Sequence, residues 1–310
     1  MMSQAKMQAF PACAARRVLA GLMGVLVVWA PLAAQRPLKI FISIDMEGIT
    51  GVVQPAQLGP GPEGWEYGRA REWMTAEARA AIEGAQAAGA TEIVIADSHG
   101  NMQNLLIDQL PEDVRIVRGS PRPLSMMQGI DKTFAGAVFI GYHASEYGTD
   151  AVRGHTMSSA RLLHVKLNGA EVGEGVWNAA IAGSFGVPVL FISGDRAAVE
   201  QFRKTVPAVE GAIVKEGLGY HAAVTLTPAR GQQLIRQGVE RAVRRLGDMK
   251  PHVVRTPLEL EVGFKLTLDA ERMSYIPGLR RVDAHTVAGT YPDMPTAAKL
   301  LQIMSSLSQP

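Results

Sequence analysis

Four short apolar runs restrict what this chain can fold into. LKIFISID (38–45), TEIVIADS (91–98), AVFIGYHA (137–144) and PVLFISGD (188–195) are rich in β-branched residues and apolar almost without interruption. A strand with one wet face alternates apolar and polar residues; a strand covered on both faces does not. The runs therefore predict strands of a buried parallel sheet. Between the first two lies EYGRAREWMTAEARAAIEGAQAAGA, with apolar residues at helical spacing and a stop at Ala88-Gly89. LLHVKLNGAEVGE reads differently, because Asn168-Gly169 between two apolar stretches predicts a two-residue hairpin turn. The alternation predicts an α/β fold: an open, mostly parallel sheet with helices on both faces and a hairpin inserted before the fourth run. Beyond Asp195 the texture changes. RAAVEQFRKTVP and PARGQQLIRQGVERAVRRLGDM predict amphipathic helices, and LELEVGFKL and RRVDAHTVAGTY predict interrupted strands. We place a boundary near residue 196, with one α/β domain over 35–195 and a smaller α/β domain over 196–310.

Residues 1–34 stand apart from this pattern. They carry Lys6, Arg16 and Arg17 but no acid, then the 13-residue apolar run Val18–Ala30 and small residues at Ala33 and Ala34. This is the make-up of a secretory signal peptide cleaved after Ala34. A membrane span needs about 20 apolar residues, so a retained anchor is the second choice, and the mature chain is expected in the periplasm or outside the cell without stable membrane insertion. Removal of the leader leaves 28 basic residues against 29 acidic ones, a net charge of −1 in place of +2. The apparent basicity belongs to the leader, and no case for a nucleic-acid partner survives. Cys13, the only cysteine, is lost as well, so any metal must be held by histidine and carboxylate.

Such residues stand where the runs end. Asp45 closes the first, with Glu47 just beyond; Asp97-Ser98-His99 closes the second and Tyr142-His143 the third. Ligands of open parallel sheets bind outside the carboxyl ends of the strands, so these side chains converge on one crevice. A single histidine there is more often a hydrogen-bonded structural residue, and a single aspartate is often a helix cap. Two close carboxylates with two imidazoles and no thiolate instead suit zinc or a similar divalent ion. Asp97 is expected to orient His99 from behind. Glu174 follows the hairpin between Gly173 and Gly175 and is a further ligand candidate; Glu171, on the hairpin arm, is its competitor and more apt to face solvent. His155, in RGHTMSSA, could be a base, an electrophile or a surface residue.

In this order SIDMEGITG, ADSHGNMQNL, GYHA, GHTMSS, NGAEVGEGVWNAAIAG and VPVLFISGD resemble the zinc-dependent D-aminopeptidases of peptidase family M55. The resemblance runs from about Leu38 to the C-terminus and is densest up to Asp195. It implies two zinc ions per chain, held by Asp45, Glu47, His99, His143 and Glu174, with Glu47 the bridge and Glu174 chosen over Glu171. It also implies that His155 takes part in catalysis, that the substrate is a short peptide with an N-terminal D-residue, and that the protein is a homo-oligomer. Tyr220 departs from the pattern, standing where some relatives carry a basic residue. Two other functions compete: a different dinuclear metal-dependent amidohydrolase, and a non-catalytic periplasmic peptide-binding protein, which would have no use for five such ligands together.

Overall fold

The computed structural model describes residues 37–306 together with Met2, Gln8 and Ala9. The leader expected over 1–34 lies, apart from those three positions, outside the described residues.

Seven strands form the main sheet, in the order β3 (Val114–Val117), β2 (Glu92–Asp97), β1 (Lys39–Ile44), β4 (Gly136–Tyr142), β7 (Val189–Asp195), β8 (Glu210–Gly219) and β9 (Ala222–Thr225). All pairings are parallel except that of β9, which closes the edge antiparallel to β8. The four apolar runs are β1, β2, β4 and β7, and their burial explains their composition: β1, β2, β4 and β7 are buried almost throughout. Ile40, Ile42 and Ile44 pack on one face with Met74, Ala78 and Ala81 of α1 (Tyr67–Ala87) and Ile235 and Val239 of α4 (Pro228–Arg244). Phe41 and Phe139 point to the other face, towards α2 (Glu174–Ser184) and α3 (Arg196–Thr205).

A second, antiparallel sheet runs β11 (Leu279–Arg281), β12 (Thr286–Tyr291), β10 (Leu258–Phe264), β5 (Leu162–Leu167) and β6 (Ala170–Glu171). It shares a core with α2 and with α6 (Met294–Ser306), while α5 (Thr267–Ser274) links β10 to β11. The α2 sequence is apolar around its circumference, as a helix enclosed on all sides must be, and Trp177 is its largest buried side chain. The Asn168-Gly169 turn forms as its sequence requires, with φ of 49° and 80°, the paired left-handed conformation of a type I′ hairpin.

The sheets do not observe the boundary expected at residue 196. β7 and β8 pair across it in the first sheet, and β5 pairs with β10 across it in the second. The cause is physical. α3 is an ordinary crossover that returns the chain to the parallel sheet, whereas the β5–β6 hairpin finds its apolar partners, Leu260 and Val262, on the later strands.

Candidate metal centre

In the main sheet the chain leaves β1 towards β2 and β3, then doubles back to place β4 on the other side of β1. A crevice opens where connections diverge in this way. Asp45 follows β1, His143 follows β4 and His99 follows β2, so three neighbouring strands each deliver a ligand-type side chain to that crevice. Close approach of the loops depends on glycine. Gly48 donates its N–H to the Gly141 carbonyl at 2.7 Å, and a Cβ on Gly48 would lie 2.0 Å from the Tyr142 carbonyl oxygen. Glu174 arrives from the opposite side as the first residue of α2, where the positive end of the helix dipole favours a carboxylate.

The side chains form two clusters. In one, His99 Nδ1 lies 3.2 Å from Asp45 Oδ1 and 2.8 Å from Glu47 Oε2. In the other, His143 Nε2 lies 3.4 Å from Asp45 Oδ2 and 3.3 Å from Glu174 Oε1, which is itself 3.7 Å from His155 Nε2. The His143 and His155 rings stack at 4.1 Å. Asp45 alone presents one oxygen to each cluster. Glu47, two residues beyond Asp45, turns its carboxylate to the His99 side. Glu171 is exposed on β6, well apart in character from the buried Glu174.

Each imidazole is fixed by a backbone carbonyl on its far nitrogen. His99 Nε2 contacts Leu58 O at 2.7 Å, His143 Nδ1 contacts Ala144 O at 2.9 Å and His155 Nδ1 contacts Arg153 O at 2.8 Å. A histidine that donates one N–H to a carbonyl turns the lone pair of the other nitrogen towards its ligand. On the crevice side, Asp45 Oδ2, Glu47 Oε2 and His143 Nε2 are buried and lack an aligned hydrogen-bond partner. Buried polar atoms are nearly always satisfied; acceptors and a lone pair converging without donors fit a cation. Asp97 does not orient His99 as expected. Its carboxylate instead accepts from Asn104 Nδ2 at 2.7 Å and from Leu105 N–H at 2.7 Å, tying down the loop that carries His99.

The electrostatics point the same way. Burial, and then the neighbouring Glu47 charge, push Asp45 up to about 7. Burial would raise Glu47 too, but His99 overrides it and holds Glu47 well below the usual carboxylate range. His99 and His143 are pushed well above the ordinary histidine value, Glu47 overcoming burial in the first and Glu174 in the second. Protons on these imidazoles balance the carboxylates, and a divalent cation would displace them. His155 differs: burial, and then the His143 charge, lower it.

Around the clusters lies a cavity of about 490 Å³, reached by Ser158 and Ser159, by Gln302 and Ser305 of α6, and by Arg153. Several supports had no counterpart among the sequence expectations. Met157 N–H donates to Glu174 Oε1 at 2.7 Å. Lys215, on β8 and 2 % exposed, donates its ammonium to the carbonyls of Glu47, Ile49 and Val52. Tyr220 presents its ring to the Arg153 guanidinium at 5.4 Å. Backbone groups carry no mark in a sequence; a lone lysine in the β-branched AIVKEG was the one available signal.

A crevice at the switch point of a parallel sheet, walled by two histidine–carboxylate clusters with a shared aspartate, defines the class of metal-dependent hydrolases. Comparison with known proteins makes this specific: residues 38–303 match the Peptidase_M55 family, described as D-aminopeptidase, and the chain belongs to that family. A D-aminopeptidase of Bacillus subtilis (strain 168) is 33% identical over 272 residues, which cover 87% of this chain and 98% of the relative. The solved structure of the Zn-dependent D-aminopeptidase DppA from Bacillus subtilis, described as a self-compartmentalizing protease, superposes with a TM-score of 0.82 at 33% identity, covering 87% of this chain and 97% of that one. The protein is thus an enzyme, a hydrolase of the metallo-aminopeptidase type.

Proposed function

We propose that the chain is a dinuclear zinc aminopeptidase that removes an N-terminal D-residue from short peptides. The observation that carries this is Asp45, whose two oxygens face two separate histidine–carboxylate clusters. Asp45, Glu47 and His99 would hold one ion, and Asp45, His143 and Glu174 the other. Zinc bound there would supply Lewis acidity towards the scissile carbonyl and a water. The zinc dependence of the Bacillus subtilis relative supports the choice of metal.

The remaining chemistry falls to the protein. His155 has its Nδ1 committed to Arg153 O, so Nε2 is the end free to handle protons. Because burial keeps its pKa low, Nε2 is unprotonated near neutrality. It can accept a proton as attack occurs and return it to the leaving amine, a role worth roughly 10²–10⁴-fold for a positioned group. Export by the leader to the periplasm or beyond, and assembly into a homo-oligomer, belong to the same reading; the self-compartmentalizing relative supports the second.

The test is a hydrolysis panel of D-Ala and L-Ala dipeptides using the chain without residues 1–34, with metal analysis before and after chelation. Two zinc ions per chain and chelator-sensitive cleavage of the D-series are expected. Undiminished cleavage after metal removal would sink the mechanism, and absence of metal would favour a peptide-binding protein.

A further inference from the structure

We propose that Arg153 anchors the C-terminal carboxylate of the substrate, which makes the enzyme selective for free-acid peptides of two or three residues. This rests on the aminopeptidase reading and adds to it the substrate's other end. Of the residues lining the cavity, Arg153 is the only lysine or arginine among the described residues. No carboxylate lies within ion-pair distance of its guanidinium among the described residues, and its Nε is buried without a hydrogen-bond partner. Arg153 is half-buried, and a buried N–H donor such as its Nε is costly to leave unpaired in a folded protein. Here the cost is tolerated beside the metal centre, where an anion can supply the missing acceptor.

The surroundings hold Arg153 in place. Its N–H donates to the Tyr220 carbonyl at 3.0 Å, its own carbonyl receives His155 Nδ1 at 2.8 Å, and the Tyr220 ring stacks against the guanidinium at 5.4 Å. The backbone sits at φ 58°, a left-handed conformation that side-chain-bearing residues seldom adopt and that persists where surrounding structure enforces it. Stacking on an aromatic face leaves the planar fork of an arginine edge-on and able to grip a carboxylate through two N–H groups. The spacing also suits a short substrate. Arg153 is two residues from His155, and a peptide spans at most about 3.3–3.6 Å per residue. Arg153 and His155 line the same cavity of about 490 Å³, so a dipeptide or tripeptide with its scissile carbonyl next to His155 can turn its carboxylate to Arg153 inside that cavity, whereas a long chain must leave it.

The experiment compares a phosphinic dipeptide isostere as free acid and as C-terminal amide, titrated calorimetrically into zinc-loaded wild type, Arg153→Met and Arg153→Lys. Zinc content of each variant serves as the check on folding. A charge-assisted, two-point contact predicts about 10–100-fold tighter binding of the acid by wild type. The acid-to-amide ratio should collapse towards one in Arg153→Met and be intermediate in Arg153→Lys. In hydrolysis of the matching peptides the same ratio should appear mainly in KM. A wild-type ratio within about threefold of one would overturn the proposal, as would an Arg153→Met protein in which both ligands weaken equally, since that would assign Arg153 only to the placement of His155. Acid-selective binding with no peptide cleaved would retain Arg153 and refute the aminopeptidase; cleavage without acid preference would do the reverse.

Discussion

Two buried charged regions lie side by side in this protein and are built on opposite rules. The Lys215 ammonium is enclosed and gives its protons to three carbonyls of the loop that follows β1. A few residues away, Asp45 Oδ2, Glu47 Oε2 and His143 Nε2 are enclosed without aligned donors. A buried charge kept for the fold is supplied with partners by the chain itself, because a missing one costs several kcal/mol. A buried set whose partners are withheld must receive them from outside. The two regions are joined: Lys215 holds the carbonyl of the very residue, Glu47, whose carboxylate serves the crevice.

The contrast is broken most directly at Asp45. Asp45→Asn should lower activity by more than about a thousandfold, since it affects the several kcal/mol that the two proposed ions would contribute, and bound metal should fall below one ion per chain. Glu47→Gln should forfeit only the ion on the His99 side. If Asp45→Asn retained two metals, the shared position would be misassigned. The next largest effect is expected at His155. His155→Gln should reduce kcat by about 10²–10⁴-fold while both metals remain. Loss of one metal would instead make His155 a ligand of the cluster it forms with His143 and Glu174.

On the other side of the comparison, Lys215→Met fills the same space but strips three carbonyls of their donor. It should destabilise the metal-loaded protein by about 3–5 kcal/mol, since each buried carbonyl left without a donor costs roughly 1–3 kcal/mol. Urea denaturation measures this directly. Because the loop also carries Glu47, zinc affinity should drop as well; a stability loss with unchanged zinc affinity would mean that Lys215 braces the fold without positioning the site.

These two regions were also unequally legible in the sequence. The crevice could be read because parallel strands buried on both faces declare themselves as apolar runs, and whatever polar residue follows each run must emerge at the same end of the sheet. Asp45, His99 and His143 follow from that reasoning alone. Glu174 needed the hairpin, whose Asn168-Gly169 turn is itself a strong local signal. The brace could not be read: Lys215 sits in a strand interrupted by glycines and charges, and its acceptors are backbone carbonyls. The same limit hid the carbonyl of Leu58 and the amide of Met157. Asp97 was misassigned because a carboxylate beside a histidine can steer the ring or cap the loop, and the nearby Asn104 decides for the loop. The division at residue 196 failed because sheet partners are chosen by packing between distant strands, which a change of texture along the chain does not report.

The smallest effect, and the finest test of the comparison, concerns Glu77 on α1. Its Oε1 accepts the Thr50 N–H at 2.9 Å within the loop clamped by Lys215, and burial pushes its carboxyl from 4.5 up to about 7. Between those values the folded protein keeps a proton that the unfolded chain has released. The folded state then binds more protons, so stability falls as pH rises through this window and the loss is complete above about 7. One pH unit of such a shift corresponds to about 1.4 kcal/mol, or roughly 3 kcal/mol over the whole window. Glu77→Gln keeps the acceptor for Thr50 but cannot ionise. Measured by urea denaturation at pH 5, 6, 7 and 8, the variant-minus-wild-type difference should grow in favour of the glutamine up to about pH 7 and level off by pH 8. Taking the difference cancels the titrations common to both proteins. A flat difference would show that Glu77 is ionised throughout and paired electrostatically with Lys215, which would turn the brace from a lysine solvated by carbonyls into a buried ion pair.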